Sequence, residues 1–351
     1  MKCAVILNGD LSAPHLKIYT NIFDEQGVSY DVISWDRGNN FKKSEFTYRD
    51  KSTYKGASIV RLWEYVNFSR FITRLIQKHK YDKLVVISPQ VALFIPFLLK
   101  KKYAKKYIFD YRDLSIEQMA FFKPFMKMVL KNSYVNVISS PGFKKYLPKG
   151  FDYVLSHNFD INLVRKAIES EPNPLPEGDV KVLTIGGIRF DANYEVIDSL
   201  GNAEGVELSF VGKGGASSVL ETYCKEKAFR NIIFKGFYTK KDEGGIIQRS
   251  TFINIFYPKI PSHFTALSNR FYNSLIFKRP MIVTKGGIQG SFAEKYNVGL
   301  VLENCNDLPN KLKKYMESLN FEDYKDRCNL LLEQFVGDYN KLNKIVLDFL
   351  K

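Results

Sequence analysis

The feature that most constrains the fold is a regular alternation of short β-branched runs with longer helical patterns. Successive parallel strands need a crossover connection between them, and a helix usually supplies it. The alternation therefore predicts an α/β protein in which helices cover parallel sheets. The strands expected from it are residues 3–7, 30–34, 84–88, 107–110, 135–139, 153–156, 180–185, 206–211, 232–234, 252–256, 281–284 and 300–302.

One break interrupts this alternation. Residues 169–179 contain prolines at positions 172, 174 and 176, and proline ends both helices and central strands. We interpret the break as a linker between two Rossmann-like, doubly wound domains, residues 1–168 and 178–335. Two such sheets that face a cleft place the carboxyl ends of their strands along it, where ligands bind at helix N-termini.

The charge of the chain points to an anionic partner. Its 351 residues include 52 Lys+Arg and 37 Asp+Glu, a net charge of +15, while an apolar fraction of 45% excludes a disordered protein. Such a surplus favours phosphate, nucleic acid or a lipid surface. Nucleic acid fits least, because two Rossmann-like domains are not a recognised nucleic-acid-binding module.

The sequence predicts a cytoplasmic protein. The first apolar run, residues 3–7, is too short for an export signal, and no run reaches the roughly 20 residues of a membrane span. The four cysteines lie far apart, which suits a reducing compartment and excludes a cysteine zinc site. Two segments mix apolar residues with lysines, 94–106 and 120–131. Each is either a solvated lysine face over ordinary core or a contact with an anionic membrane.

Three loops of the first domain carry candidate residues. Gly9 and Asp10 follow the first strand, where they either make a tight turn or let a ligand approach the backbone. Two carboxylates flank Arg112, one of them Asp113, and this group either orients a substrate or fixes its own loop through an Arg–carboxylate pair. His157 lies where the chain leaves the domain, in a segment that otherwise reads as a helix cap.

The second domain has glycine loops after its first strands. Paired glycines expose backbone amides, and a cation beside them can hold a phosphate group. The loop after the third strand carries aromatic side chains that either stack on a flat base or pack in the core. The candidate residues of these loops are Gly186, Gly187, Arg189, Gly212, Lys213, Gly214 and Phe237.

A further cluster of polar residues precedes and opens a predicted helix near Ser268. The positive end of this helix would gather backbone amides together with Ser268, Asn269 and Arg270. Thr265 and Asn273 lie on either side of that cluster in the sequence. The pattern predicts a second anion-binding element in the same domain.

The order of these motifs resembles that of GT-B glycosyltransferases, in particular the family-four-like group that makes bacterial surface polysaccharides. The resemblance rests on the glycine loop at 186–189, Phe-Val-Gly-x-Gly at 210–214 and Pro-Met-Ile-Val at 280–283. It covers essentially the whole chain and is strongest from residue 180 to 303. It implies a last helix, about 336–351, that crosses back to the first domain.

The chain departs from the pattern of that family at several functional positions. The corresponding helix often reads K-x-x-E-x-x-x-x-G-K-P, and here Arg270 replaces the lysine, Asn273 the glutamate and Lys278 the glycine. The earlier glutamate of the family's E-x7-E pair falls on Thr265.

The resemblance implies transfer of a sugar from an NDP-sugar, UDP- or GDP-linked, to a glycan or undecaprenyl-linked acceptor, with retention and without a metal ion or other cofactor. Arg189, Arg270 and Asp113 are then expected to be catalytic. The acceptor side would comprise Gly9, Asp10, Arg112 and His157. The donor would be bound by Gly186, Gly187, Gly212, Lys213, Gly214, Phe237, Thr265, Ser268, Asn269 and Asn273.

Two other functions share this architecture. A sugar-nucleotide epimerase would turn over its nucleotide sugar with no acceptor present, whereas a transferase would show little turnover. A catalytically degenerate homologue is suggested by Thr265 and Asn273, which replace the glutamate pair, and it would bind nucleotide weakly or not at all.

Overall fold

The computed structural model describes residues 1–9, 11, 14–36, 44–49, 58–189 and 192–351. The chain divides into two compact units, each with its own parallel sheet and core. The first unit comprises Met1–Asn158 and Gly337–Lys351, and the second comprises Phe159–Val336.

The described part of the first unit is built on a seven-stranded sheet. Its strands are β1 (Lys2–Ile6), β2 (Ser29–Asp36), β3 (Thr47–Arg49), β4 (Lys83–Ile87), β5 (Tyr107–Tyr111), β6 (Val135–Ile138) and β7 (Val154–Leu155). They lie in the order β3-β2-β1-β4-β5-β6-β7, and neighbouring strands pair in parallel. Its helices are α1 (Pro14–Glu25), α2 (Ser58–His79), α3 (Pro89–Phe94), α4 (Pro96–Lys102) and α5 (Lys123–Asn132), with 3₁₀ turns at Ile116–Gln118, Ala120–Phe122 and Pro141–Lys145.

The described part of the second unit is built on a six-stranded sheet. Its strands are β8 (Val180–Ile185), β9 (Val206–Val211), β10 (Ile232–Lys235), β11 (Phe252–Ile255), β12 (Met281–Thr284) and β13 (Gly299–Leu302). They lie in the order β10-β9-β8-β11-β12-β13, again all parallel. Its helices are α6 (Ile161–Glu169), α7 (Ala192–Leu200), α8 (Ser217–Glu226), α9 (Glu243–Gln248), α10 (Pro261–Thr265), α11 (Asn269–Ile276), α12 (Ile288–Tyr296), α13 (Leu308–Ser318) and the long α14 (Phe321–Leu350).

This architecture confirms the predicted α/β class with two Rossmann-like sheets. In both units the central strands are buried on both faces, which explains why they read as continuous apolar runs rather than as alternating ones. Helix α1 is followed by Gly27 at a φ of +63°, the left-handed conformation in which glycine ends helices at little cost.

Two segments of the first unit differ from the sequence-based expectation. Helix α2 begins at Ser58, and a short strand, β3, which is not among the expected strands, pairs with β2. The apolar run 91–99 forms two short helices divided at Pro96. Proline is favoured at the first position of a helix, where its missing N–H group costs nothing, so Pro96 starts α4 rather than ending structure.

Residues 159–168, which the sequence analysis placed in the first domain, belong to the second unit. Phe159 and Val164 pack into its core beside Phe335, and Asp160 caps helix α6 by accepting hydrogen bonds from the amides of the next turn. The capping interpretation of the segment around His157 therefore holds for Asp160. The proline-rich stretch that follows α6 also lies within this unit.

The last helix contributes to both units. Its first part packs in the second unit through Leu331 and Phe335, and the part after Val336 packs in the first through Leu342 and Val346. This division of α14 agrees with the expected return of the last helix to the first domain. Within the described residues, no helix is both long and apolar enough to cross a membrane.

Candidate functional site

Two glycine loops are packed against each other at the carboxyl edge of the second sheet. Gly186 donates its amide to Val211 O at 2.9 Å, and Gly212 donates to the carbonyl of Lys235 at 3.0 Å. A Cβ atom on Gly212 would lie 2.1 Å from the Gly186 oxygen, and the φ of Gly212 is +134°. A Cβ on Gly214 would meet Ile188 O at 2.0 Å. Only glycine allows this contact of the loops after β8 and β9.

Two exposed cations stand on these loops. Arg189 and Lys213 are exposed, and neither forms an ion pair with a described residue. Gly187 is exposed as well. Cationic side chains beside exposed backbone amides form an environment that attracts a phosphate group. The structure thus places five of the predicted donor residues on one edge of the sheet: Gly186, Gly187, Gly212, Lys213 and Gly214.

Arg270 is buried beneath the first of these loops, with 8% of its surface exposed. Its guanidinium donates from Nε to Ile185 O at 2.5 Å and from Nη2 to Gly187 O at 3.0 Å. A longer bond joins Nη1 to Asn254 O at 3.4 Å. Three of its five N–H groups therefore hold backbone carbonyls at the ends of β8 and β11. The sequence analysis predicted a phosphate partner and did not foresee this positioning role.

The helix that opens at Ser268 is capped as predicted. Ser268 Oγ accepts the amide of Phe271 at 3.2 Å, and buried Gln289 accepts from Ser268 N at 3.0 Å and from its hydroxyl at 2.7 Å. Asn269, in the first turn of α11, is exposed. Gln289 thus holds Ser268 in place at the start of the helix, and nothing in the sequence around Gln289 indicates this role.

The two residues at the positions of the family's glutamate pair are both buried. Thr265 is 4% exposed and its hydroxyl donates to Pro261 O at 2.8 Å, a bond that no carboxylate could make. Asn273 is 8% exposed, within helix α11. Neither side chain carries the negative charge that the glutamates would supply.

Aromatic residues after β10 divide between core and surface. Phe234 stacks on Phe210 with ring centroids 4.8 Å apart, whereas Phe237 is 77% exposed. Tyr238 donates its hydroxyl to Glu243 at 3.1 Å, and burial together with that carboxylate raises the pKa of Tyr238 to about 12. Phe237 is therefore the aromatic side chain that is free to stack on a ligand.

Polar residues end three central strands of the second sheet. Buried Asn254 donates to Thr184 Oγ1 at 2.9 Å, and Thr284 donates to Tyr257 O at 2.7 Å. Tyr257 and Thr284 also line a small opening at the surface, together with His263. The signal in the sequence is a polar residue at the end of an otherwise apolar strand.

In the first unit, a buried ion pair lies at the end of β5. Arg112 donates from Nη2 to Asp110 Oδ2 at 2.5 Å and to Ser156 Oγ at 2.8 Å, and Tyr19 donates its hydroxyl to the same Asp110 oxygen at 2.7 Å. These contacts support the loop-fixing interpretation of Arg112, with Asp110 as its partner. Asp113 is exposed.

Two histidines flank this ion pair. His157 Nε2 lies 3.0 Å from Asp338 Oδ2 on helix α14. Burial is the main cause that lowers the pKa of His157, and burial followed by the Arg112 charge lowers the pKa of His15 to about 4. The sequence analysis identified His157 but not His15. Gly9 lies at the end of β1 with open space around its α-carbon, and Asp10 lies outside the described residues.

These histidines predict a loss of stability in mild acid. In the unfolded chain each histidine binds a proton near pH 6.5, whereas in the folded chain the lowered pKa keeps it neutral to lower pH. The free energy of unfolding is therefore highest above pH 6.5 and falls towards pH 4. For His15 we expect about 2 kcal/mol lost between pH 7.5 and pH 5. Urea unfolding at both pH values tests this against the His15→Gln variant. An equally steep fall in the variant would contradict the assignment.

Known proteins resemble this chain in structure and not in sequence. No family model matches the chain, and no curated protein matches its sequence. Sucrose-phosphate synthase from Thermosynechococcus elongatus superposes with a TM-score of 0.74 at 13% identity, over 100% of this chain and 99% of that chain. A glycosyltransferase from Rickettsia africae gives 0.71 at 13% identity, over 100% and 98%. The chain has the GT-B fold.

A third similar structure is that of Anabaena HepE in complex with UDP-glucose. It superposes with a TM-score of 0.63 at 12% identity, over 100% of this chain and 99% of that chain. At these identities the likeness is one of fold, and it confirms the fold class expected from the sequence.

Proposed function

We propose that this GT-B protein is a glycosyltransferase that takes a sugar from an NDP-sugar, UDP- or GDP-linked, and passes it to a glycan or lipid-linked acceptor. The observation that carries the proposal is the pair of contacting glycine loops on the second sheet with two cations, Arg189 and Lys213, that form no ion pair with a described residue. Support also comes from the similar structures of Anabaena HepE in complex with UDP and with UDP-glucose. The sequence resemblance supports a role in bacterial surface-polysaccharide assembly.

The proposed chemistry requires stabilisation of a leaving diphosphate. As the bond between sugar and phosphate breaks, the sugar becomes oxocarbenium-like and negative charge builds up on the phosphate oxygens. Arg189 and Lys213 would neutralise that charge, and the Gly187 amide would donate to it. Arg270 would act from below, since its contacts with Ile185 O and Gly187 O hold the loop in place. Phe237 would stack on the base.

The first unit would bind the acceptor. Arg112 is held by hydrogen bonds to Asp110 and Ser156, which place its guanidinium at the end of β5. His157 stays neutral near pH 7 because burial lowers its pKa, and a neutral imidazole can accept a proton from an acceptor hydroxyl. Half-buried Gly9 is a further proposed acceptor-side residue, and exposed Asp113 is proposed to be catalytic.

The proposed reaction needs no metal ion and retains the configuration of the sugar. Both proposals follow from the family resemblance, and the sequence holds no D-x-D motif between strands. Arginine and lysine would supply the positive charge that a divalent cation supplies elsewhere. Addition of excess EDTA should then leave the transfer rate unchanged, and a rate restored only by a divalent cation would contradict the proposal.

A thermal-shift panel of UDP, GDP, ADP and CMP with their common sugar conjugates tests the donor site. A ligand at about 100 times its Kd adds about 2.7 kcal/mol to the free energy of unfolding, which raises the melting temperature visibly. The Arg189→Ala variant should lose at least tenfold in affinity for the nucleotide sugar with its unliganded melting temperature unchanged, because Arg189 is exposed and forms no ion pair with a described residue.

The matched control is Arg230→Ala. Arg230 is also exposed but precedes β10, at the opposite edge of the same sheet. Equal affinities in the two variants would contradict the proposed role of Arg189. Absence of any shift across the panel would favour the degenerate homologue. Turnover of a nucleotide sugar without an acceptor would instead favour the epimerase.

We further propose that the first unit rests on an anionic membrane surface. Phe97 is 54% exposed, and Phe121 is 69% exposed. Both rings pack on Phe125, with centroids 6.0 and 5.6 Å from it, so they form one continuous apolar patch. Exposed lysines at 100–102 end the same helix as Phe97. An exposed aromatic patch bordered by lysines suits insertion at the headgroup level of an anionic bilayer.

Liposome flotation tests this second proposal. Changing Lys100, Lys101 and Lys102 to glutamate should reduce binding to vesicles containing phosphatidylglycerol by at least tenfold, because each basic residue near such a surface contributes about 1 kcal/mol. Vesicles of phosphatidylcholine alone provide the uncharged control. Unchanged flotation of the triple variant would contradict the proposal and favour a solvated lysine face.

A further inference from the structure

A second cavity lies in the first unit, and its lining does not include the Arg112 ion pair. It is open to solvent, has a volume of about 210 Å³ and is formed by the segments after β5 and β6 together with the start of helix α5. Its lining includes Glu117, Lys123, Lys127 and Tyr146. Since a water molecule occupies about 30 Å³ in the liquid, the cavity has room for a small polar ligand.

Glu117 is an unusual residue to find in this wall, because it is only 3% exposed. Its Oε1 atom accepts from the Tyr111 hydroxyl at 2.6 Å, from Ser115 N at 2.8 Å and from Gln118 Nε2 at 2.9 Å. Its Oε2 atom is buried and has no hydrogen-bond partner among the described residues. A buried carboxylate oxygen without a donor is costly, so a ligand O–H or N–H group would satisfy it.

Two positively charged side chains line the same cavity at the start of α5. Lys123 and Lys127 are four positions apart, hence neighbours on one helix face, and both are exposed without an ion pair to a described residue. The first turn of α5 has no acidic residue, and Phe122 at its N-cap forms no side-chain cap. Lysines add to the positive end of the helix dipole here instead of compensating it, which concentrates positive charge beside the cavity.

We propose that this cavity binds a phosphate ester of a hydroxylated compound. Lys123 and Lys127 hold the phosphate group, and Glu117 Oε2 accepts a hydrogen bond from a hydroxyl group of the same ligand. Neither part alone selects such a ligand, since lysines bind any anion and a carboxylate repels one. The proposal concerns binding, and it stands whether or not the protein transfers a sugar.

Two sources offer this chemistry, a soluble sugar phosphate and the headgroup of an anionic lipid. Calorimetry on the full chain with glucose 6-phosphate, inorganic phosphate and glucose tests the first source. Flotation with vesicles of phosphatidylglycerol, against phosphatidylcholine, tests the second. If the source is soluble, we expect saturable binding of glucose 6-phosphate that is stronger than the binding of inorganic phosphate or glucose. If the source is a lipid, we expect binding to phosphatidylglycerol vesicles that is stronger than binding to neutral vesicles.

Charge reversal separates this cavity from the general charge of the chain. The double variant Lys123→Glu/Lys127→Glu should lose at least tenfold in affinity for the bound probe. Lys131→Glu is the matched control, because Lys131 is exposed on the same helix and lies outside the cavity lining. It should stay within twofold of the parent. The isosteric Glu117→Gln variant should weaken the binding of glucose 6-phosphate or phosphatidylglycerol but not the binding of inorganic phosphate.

Each outcome either supports or overturns the proposed site. Binding of either probe that depends on Lys123 and Lys127 supports the site and identifies its source. Binding that Lys131→Glu weakens as much as the double variant would show nonspecific attraction and overturn the proposal. Failure of both the soluble probes and the vesicles to bind would overturn it as well.

Discussion

Replacing Arg270 by alanine is expected to reduce the rate of the proposed sugar transfer at least a hundredfold and to destabilise the second unit by about 3 kcal/mol. The guanidinium is buried and donates to the carbonyls of Ile185, Gly187 and Asn254. Its loss removes the guanidinium donor from all three carbonyls and frees the loop that carries Arg189. Urea unfolding gives the stability, and release of nucleoside diphosphate in the presence of acceptor gives the rate.

Arg270→Lys separates the two effects. Lysine keeps the charge but cannot reach three carbonyls at once, so stability should fall while part of the activity remains. Arg230→Ala, which removes an exposed arginine from the same unit, should change neither quantity. If Arg270→Ala retained full stability, the contacts with Ile185 and Gly187 would not hold the loop, and Arg270 would act through charge alone.

Replacing Arg279 by alanine is expected to have the larger effect on stability, about 4 kcal/mol. Arg279 is fully buried and donates to Asn173 O at 3.1 Å, Pro174 O at 3.0 Å and Gln248 O at 2.9 Å. Burial lowers the pKa of Arg279 to about 10, so it remains charged at neutral pH. Its truncation leaves three carbonyls without their donor and detaches the proline-rich stretch from the second unit.

Two measurements check this expectation. Urea unfolding should show the lower stability, and limited proteolysis should cut the variant faster within residues 170–178. The exposed Arg249, on the same unit, provides the control as Arg249→Ala. A variant of Arg279 as stable as this control would mean that the proline-rich stretch is held by other contacts.

The fold could be predicted because its signals are local. Strands such as β8 and β9 are short apolar runs, and each parallel pair needs a helix between them, so the order of elements follows from the pattern alone. The structure differs from the expectation at the proline-rich stretch, since proline ends helices and strands without marking the end of a domain. The proline-rich stretch predicted as a linker is held in the second unit by Arg279.

The candidate site was predictable in part, for the same reason. Gly212 and Gly214 follow a strand and precede a helix, and that position predicts a loop that a ligand can approach. Gln289 and His15 were missed because their partners come from other parts of the chain, whereas Glu117 was missed although its partners lie within six positions of it. Their sequence neighbours contain nothing that distinguishes them from ordinary polar residues.

The sequence by itself determined the parallel sheets, the helices between them and the glycine loops at their edges, because periodicity, glycine and proline act within a few residues. The tertiary structure decided which side chains meet there. Arg270 reaches a carbonyl 85 positions away, and His157 meets a carboxylate 181 positions away. Such pairs depend on the packing of whole elements, and the chemistry of the site depends on those pairs.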